Sequence, residues 1–318
     1  MKKRLLGNTG IQVSDVAFGG VEIGMPYGIG VKGKEDMLSQ SESIELLHAA
    51  LDQGINFFDT ARMYGASENI MGHAFKDRRD EVVISTKCVK IRVASGALPS
   101  EKKIKETIEG SLQESLEALQ TDYVDVYMLH QADLEILDNE VISQTFLRLK
   151  EKGLIRATGA STYAVDETRK TINDGHWDVV QLPFNLMDQS QGACFPLAAA
   201  KEIGVMVRSV LFKGILSDKG RSLHPRLKTV EQHIKSYKKL CGELDCDLAA
   251  LALKFALSFN EVSSVLVGID RIKYLKNSVS VADGNYLNAK LLEKAKELQY
   301  PDADFLNLVK WEREGWLT

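Results

Sequence analysis

Residues 54–65 read Gly54-Ile55-Asn56-Phe57-Phe58-Asp59-Thr60-Ala61-Arg62-Met63-Tyr64-Gly65. The run at 56–61 carries two phenylalanines into an aspartate, and a tyrosine follows that aspartate by five residues. A short apolar run without polar alternation suits a strand covered on both faces, as in a parallel sheet. Similar runs rich in Val and Ile recur at 16–20, 82–87, 124–130, 158–161, 179–185, 205–210 and 263–268. Between them lie stretches of helical period at 43–52, 68–75, 101–119, 141–152, 166–173, 196–203 and 248–259. In 101–119, Ile104, Ile108, Leu112, Leu116 and Leu119 repeat at helical spacing, and Ser100 stands where an N-cap belongs. Gly54, Gly153, Gly175 and Gly204 each fall just past a helical stretch, where a left-handed residue is wanted.

Eight strands alternating with helices, with no linker or low-complexity break, predict an α/β protein built as a closed (β/α)8 TIM barrel. A doubly wound open sheet is the alternative. Residues 3–6 and 11–13 flank the turn Asn8-Thr9-Gly10 and read as an N-terminal β-hairpin capping the barrel bottom. Length alone would allow two domains, but 44% hydrophobic residues in 318 can fill one large core. The expectation is a single domain over 1–318. Three connections are long, at 21–40, 88–99 and 211–228, and each follows a strand's C-terminal end, where barrel active sites are built. They read as substrate contacts or as tolerated insertions.

Composition narrows the function. Lys and Arg total 40 against 44 Asp and Glu, a net charge of −4, which argues against a duplex nucleic-acid binder. Cys88, Cys194, Cys241 and Cys246 form neither a dense disulfide framework nor a C-x-x-C pair. The basic N-terminus lacks the apolar run of a secretory signal, and no segment approaches the roughly 20 apolar residues of a membrane span. A cytoplasmic protein without membrane contact is expected. The six histidines show no metal-ligand spacing, so no metal is expected. Gly28-Ile29-Gly30-Val31-Lys32-Gly33 matches G-x-G-x-x-G but does not lie directly between a strand and a helix, and reads as a flexible loop.

Four chemically capable residues share one address. Asp59 closes the second barrel strand and Tyr64 follows in its turn; Lys87 closes the third strand and His130 the fourth. In a barrel these ends converge on one mouth. Reducing a carbonyl leaves negative charge on oxygen, which needs a proton donor or a positive field. Tyrosine is a neutral donor with an ordinary pKa of about 10, and a neighbouring lysine cation would lower it. Asp59 would pair with Lys87, and His130 would orient the carbonyl by a hydrogen bond. None of these side chains carries a hydride, so a nicotinamide is required.

From Leu6-Gly7-Asn8-Thr9-Gly10 to the VGID segment near residue 268, the chain resembles the aldo-keto reductase superfamily, whose most specific stretch corresponds to residues 54–72 (GINFFDTARMYGASENIMG). The resemblance implies Tyr64 as general acid, with Asp59, Lys87 and His130 completing a catalytic tetrad. It also implies Ser161 and Gln181 on the nicotinamide carboxamide, although Thr162 replaces the family's asparagine. Where the family often stacks a tyrosine on the ring and continues Ser-Pro-Leu, this chain reads Arg208-Ser209-Val210-Leu211; the planar guanidinium can stack in its place. Ser209, Leu211 and Gly214 follow as cofactor contacts. Gly268, Asp270, Arg271, Asn277 and Ser278 fall at the adenosine end, where Asp270 would repel a 2′-phosphate and Arg271 or Lys273 would attract it.

The cofactor expected is NADP(H) or NAD(H), with NADP(H) favoured by the resemblance, and the partner a small-molecule carbonyl or alcohol substrate. A monomer or weak homo-oligomer is expected. The leading function is interconversion of an aldehyde or ketone, sugar-like among them, and its alcohol. A catalytically weak nicotinamide-binding regulatory subunit is the alternative, as some members of the family are channel partners. A Schiff-base aldolase using Lys87 ranks last, because Asp59 would hold that lysine protonated. Trp311 and Trp316 are placed either over the substrate pocket or against the outer helices.

Overall fold

The computed structural model describes residues 1–31 and 33–317. Strands β1 (Lys3–Leu5) and β2 (Gln12–Ser14) pair antiparallel. Eight parallel strands follow: β3 (Val16–Gly19), β4 (Phe57–Asp59), β5 (Val83–Lys87), β6 (Val124–Leu129), β7 (Ile155–Ser161), β8 (Val179–Pro183), β9 (Gly204–Arg208) and β10 (Val262–Gly268). They close in sequence order, β10 joining β3, into the expected barrel. Helices such as Gln40–Asp52, Ser67–Phe75, Glu101–Leu119 and Glu140–Glu151 alternate with the strands and cover the barrel. Ser100 caps the third of these, its Oγ accepting from the Lys103 amide at 3.4 Å.

Strand parity places the site. Phe57, Val83, Val126, Met128, Ala157, Val179 and Met206 form one buried cluster inside the barrel with Ala17 and Leu266. Their neighbours Phe58, Ile84, Tyr127, Ala160, Val180 and Val207 belong to the layer under the helices. Successive strand residues point to opposite faces. Two positions beyond an inward residue is therefore inward again, which takes Phe57 to Asp59, Ser85 to Lys87, Met128 to His130, Val179 to Gln181 and Met206 to Arg208. All five sit at the barrel's C-terminal mouth.

The opposite mouth is closed by the hairpin. Leu6, Ile11 and Val13 join the interior cluster, and the Asn8 amide donates to the Glu202 carbonyl at 2.8 Å. Gly54, Gly153 and Gly175 are left-handed as expected (φ 95, 72 and 78). Gly204 is not: Glu202 takes the left-handed conformation (φ 56), and Gly204 instead admits the hairpin, since a Cβ there would lie 2.9 Å from Leu6 Cδ1.

The long connections are more structured than the spacing predicts. The first opens with the helix Val21–Gly24 and holds left-handed Gly28 and Gly30; Lys32 of the glycine motif lies outside the described residues, as does Thr318. The loop at 88–99 is tied down by Arg92, which pairs with Asp133 and Glu135 at 2.8 and 2.7 Å. After β9 come short 3₁₀ turns and two further helices, Lys228–Ile234 and Lys238–Leu244. Trp311 is fully buried edge-on to Phe212 of this connection (centroids 5.6 Å), and Trp316 stacks on His224. These rings brace the loop after β9. Among the described residues no helix is long and apolar enough to cross a membrane.

Candidate active site

At the C-terminal mouth the ends of β4, β5 and β6 bring four of the expected residues together. Lys87 Nζ is fully buried and donates to Asp59 Oδ2 at 2.6 Å and to the Thr60 carbonyl at 2.9 Å. The Asp59 carboxylate, 2% exposed, accepts two further bonds at Oδ1, from Ser85 Oγ and Gln181 Nε2, both at 3.0 Å. A buried ion pair is tolerable only when its remaining lone pairs and protons are satisfied, and these contacts supply that. Tyr64 lies over the pair, with Lys87 Nζ 5.0 Å from its ring centroid. His130 packs edge-on against the tyrosine, with centroids 5.4 Å apart and planes at 82°.

The electrostatics differ from the sequence expectation in one respect. Burial, followed by the Asp59 carboxylate, holds the Tyr64 phenol well above its ordinary value, and Arg208 is the cation that opposes them. Lys87, the lysine expected to lower it, is itself paired with Asp59 at 2.6 Å. Burial also lowers the Lys87 ammonium, against the stabilising effect of Asp59. His130 is pushed down to about 3 by burial and by the cations Lys87, Arg208 and Lys90, so its imidazole is neutral across the physiological range. Its Nδ1 is buried without a hydrogen-bond partner among the described residues.

A cavity of ≈ 1270 Å³ runs from Tyr64 and His130 along the ends of β7 to β10. Ser161 and Gln181 stand side by side in its wall, Ser161 Oγ donating to Gln181 Oε1 at 3.4 Å. Arg208, expected to stack in place of the family's tyrosine, is clamped: Nη2 donates to the Thr162 carbonyl at 2.9 Å, and the guanidinium lies 4.2 Å from the Tyr163 ring centroid. Ser209, Leu211 and Gly214 line the next stretch, where Ser209 and Gly214 are left-handed (φ 60 and 97). Gly268, Asp270, Asn277 and Ser278 line the far end. Arg271 does not line the cavity. It directs its guanidinium to the carbonyls of Asp270 and Asp36, at 2.6 and 2.9 Å.

Two contributors escape a reading of strand ends. Ser85 lies two residues before Lys87, so strand parity alone would have found it. Glu22, just past β3, packs its carboxylate against Gly268, and its Oε2 is buried without a partner among the described residues. Burial, helped by Asp270 and Asp59 and opposed by its own amide and Lys219, pushes this carboxyl up to about 8. Nothing in the local sequence announces that burial.

Comparison with known proteins places this geometry in a family. The model of the aldo/keto reductase family matches residues 22–298. L-galactose dehydrogenase of Arabidopsis thaliana is 30% identical over 87% of this chain and 86% of its own length. The NADH-specific methylglyoxal reductase of Escherichia coli K12 is 28% identical over 91% of this chain and 96% of its own. The holo form of the aldo-keto reductase AKR11C1 from Bacillus halodurans superposes with a TM-score of 0.76 at 26% identity, covering 95% of this chain and 99% of that one. The chain belongs to the aldo/keto reductase family, whose members are oxidoreductases that use nicotinamide cofactors.

Proposed function

We propose that the chain interconverts an aldehyde or ketone and its alcohol with NAD(P)H, using Tyr64 as general acid and base, and that residues 1–318 act as one domain. The observation that carries this reading is the buried Lys87–Asp59 pair lying directly beneath Tyr64 with neutral His130 beside it.

The cavity fits a dinucleotide. At ≈ 1270 Å³ it exceeds the roughly 300–1,000 Å³ of ordinary small-ligand pockets, and two buried polar atoms in its wall, Glu22 Oε2 and His130 Nδ1, lack partners among the described residues. Ser161 and Gln181 would hold the carboxamide, Arg208 would stack beside the ring, and Gly268 to Ser278 would meet the adenosine end. When bound, a reduced nicotinamide supplies the hydride that no side chain here can carry.

The protein's own residues handle the proton. His130, neutral at pH 7, donates one N–H to the carbonyl oxygen and so fixes where negative charge gathers. Tyr64 stays protonated because its phenol is held high, and its Oη gives the proton to that oxygen. In the oxidative direction the same Oη takes the proton back, and Arg208 is the cation that eases the phenolate. Lys87 and Asp59 fix each other in place, so Tyr64 rests on a rigid ion pair.

The test is loss of nicotinamide absorbance over a panel of aldehydes, ketones and sugars, comparing wild type with Tyr64→Phe. The variant is expected to keep dinucleotide affinity and lose at least about a hundredfold in turnover, within the range of general acid catalysis. Unchanged turnover overturns the role of Tyr64. Tight binding with no turnover on any carbonyl, together with a larger co-purifying partner, favours the regulatory-subunit reading instead.

A further inference from the structure

The helix Lys238–Leu244 ends on Asp245, a non-glycine residue in the left-handed region (φ 48, ψ 49). The Cys246 amide donates back to the Cys241 carbonyl at 3.1 Å, and the Asp245 amide to the Gly242 carbonyl at 3.5 Å. This is the Schellman C-cap, in which the residue after the left-handed one folds over the third residue from the helix end and their side chains meet. Those two positions are ordinarily apolar. Here both are cysteines, so the cap brings two thiols together. Both are free, half-buried and part of the cavity wall. Asp247, the next residue, caps the helix Leu248–Leu257 by accepting from the Ala250 amide at 2.8 Å. The pair therefore sits at the elbow between two helices that wall the far side of the cavity.

We propose that Cys241 and Cys246 are a modification site: a vicinal dithiol that closes into a reversible intrachain disulfide on exposure to a small-molecule disulfide. The Cys246 thiolate attacks one sulfur of the oxidant, forming a mixed disulfide and releasing one thiolate. The Cys241 thiol loses its proton to water and attacks the Cys246 sulfur, expelling the second thiolate. Two protein thiols lose two electrons, and one oxidant disulfide becomes two thiols. The order of attack follows from the mutual influence of the two neighbouring thiols, which favours the Cys246 thiolate and disfavours that of Cys241. The other two cysteines do not compete. Cys88 and Cys194 are 1% and 0% exposed, and burial pushes the Cys88 thiol up to about 12. Closure would staple the elbow and, with it, that wall of the cavity.

The experiment treats the full chain with glutathione disulfide, blocks remaining thiols with iodoacetamide and digests with trypsin. Both cysteines fall in the single peptide 240–254. The expected product is that peptide lighter by two hydrogen atoms and unalkylated, returning to two alkylated cysteines after dithiothreitol. Cys241→Ser is expected to trap glutathione on Cys246, and Cys246→Ser to slow modification of Cys241 at least tenfold. Full alkylation of the wild-type peptide after oxidant, or stable glutathione on both cysteines without ring closure, overturns the proposal. The wild-type readout does not depend on how well either variant folds.

Discussion

Replacing Lys87 by Met removes the cation from the centre of the site and tests how the buried pair is held. The Asp59 carboxylate would remain 2% exposed with only Ser85 Oγ and Gln181 Nε2 as donors. Breaking a buried pair by deleting one partner costs about 3–5 kcal/mol, because an uncompensated charge is left behind. An unfolding entropy of about 2.1 cal/mol/K per residue over 318 residues makes that a fall in Tm of about 4.5–7.5 °C. Asp59→Asn leaves the ammonium with only neutral acceptors, but a buried lysine can escape by losing its proton. A lysine whose folded pKa is depressed binds fewer protons than the unfolded chain, so the variant's stability deficit should shrink as pH rises from 7 toward the ordinary lysine value. The double variant leaves two neutral groups and should recover about 1–3 kcal/mol relative to the sum of the singles. Denaturant unfolding of all four proteins at pH 7 and pH 9.5 measures this. Additive losses, or an Asp59→Asn deficit that does not depend on pH, would refute the buried-pair reasoning.

His130, held at about 3, should show no titration of its ring signals by NMR between pH 5 and 8. Because the unfolded chain binds that proton below about 6.5, wild-type stability should fall as pH drops from 6.5 toward 3, and His130→Gln should soften the fall. Glu22 has the opposite sign. Its folded pKa of about 8 lies above the unfolded value, so folded protein binds the extra proton and stability falls as pH rises from about 4.5 to 8. Glu22→Gln should therefore raise Tm relative to wild type at pH 8.5 and do little at pH 4.5, as a calorimetric pH series would reveal.

Much of the barrel was legible because strands covered on both faces must be apolar throughout, and the polar residue that ends such a run stands out. Asp59, Lys87 and His130 are visible for that reason, and one topological assumption gathers them. What was missed depends on packing between distant segments. Through the helices Lys228–Ile234 and Lys238–Leu244 and the turns before them, Leu227, Val230, Ile234, Tyr237, Cys241 and Leu244 recur at helical spacing, but a dense lysine content and no Gly or Pro boundary between the helices hid the period. Gly204 looked like a helix stop because it follows one, whereas its lack of a side chain serves the hairpin. Glu22 was invisible because Gly268, far away in sequence, is what buries its carboxylate. Arg271 was placed at the cofactor by its position after β10, and its bonds to the carbonyls of Asp270 and Asp36 could not be read from that position.

The most direct measurement follows an isotope. With a reduced dinucleotide carrying deuterium at both nicotinamide C4 positions and a carbonyl substrate in ordinary water, the alcohol formed should carry one deuterium on the former carbonyl carbon. The hydroxyl proton should come from solvent by way of Tyr64. An alcohol without deuterium at that carbon, or a borohydride-trapped substrate adduct on Lys87, would contradict reduction by this site.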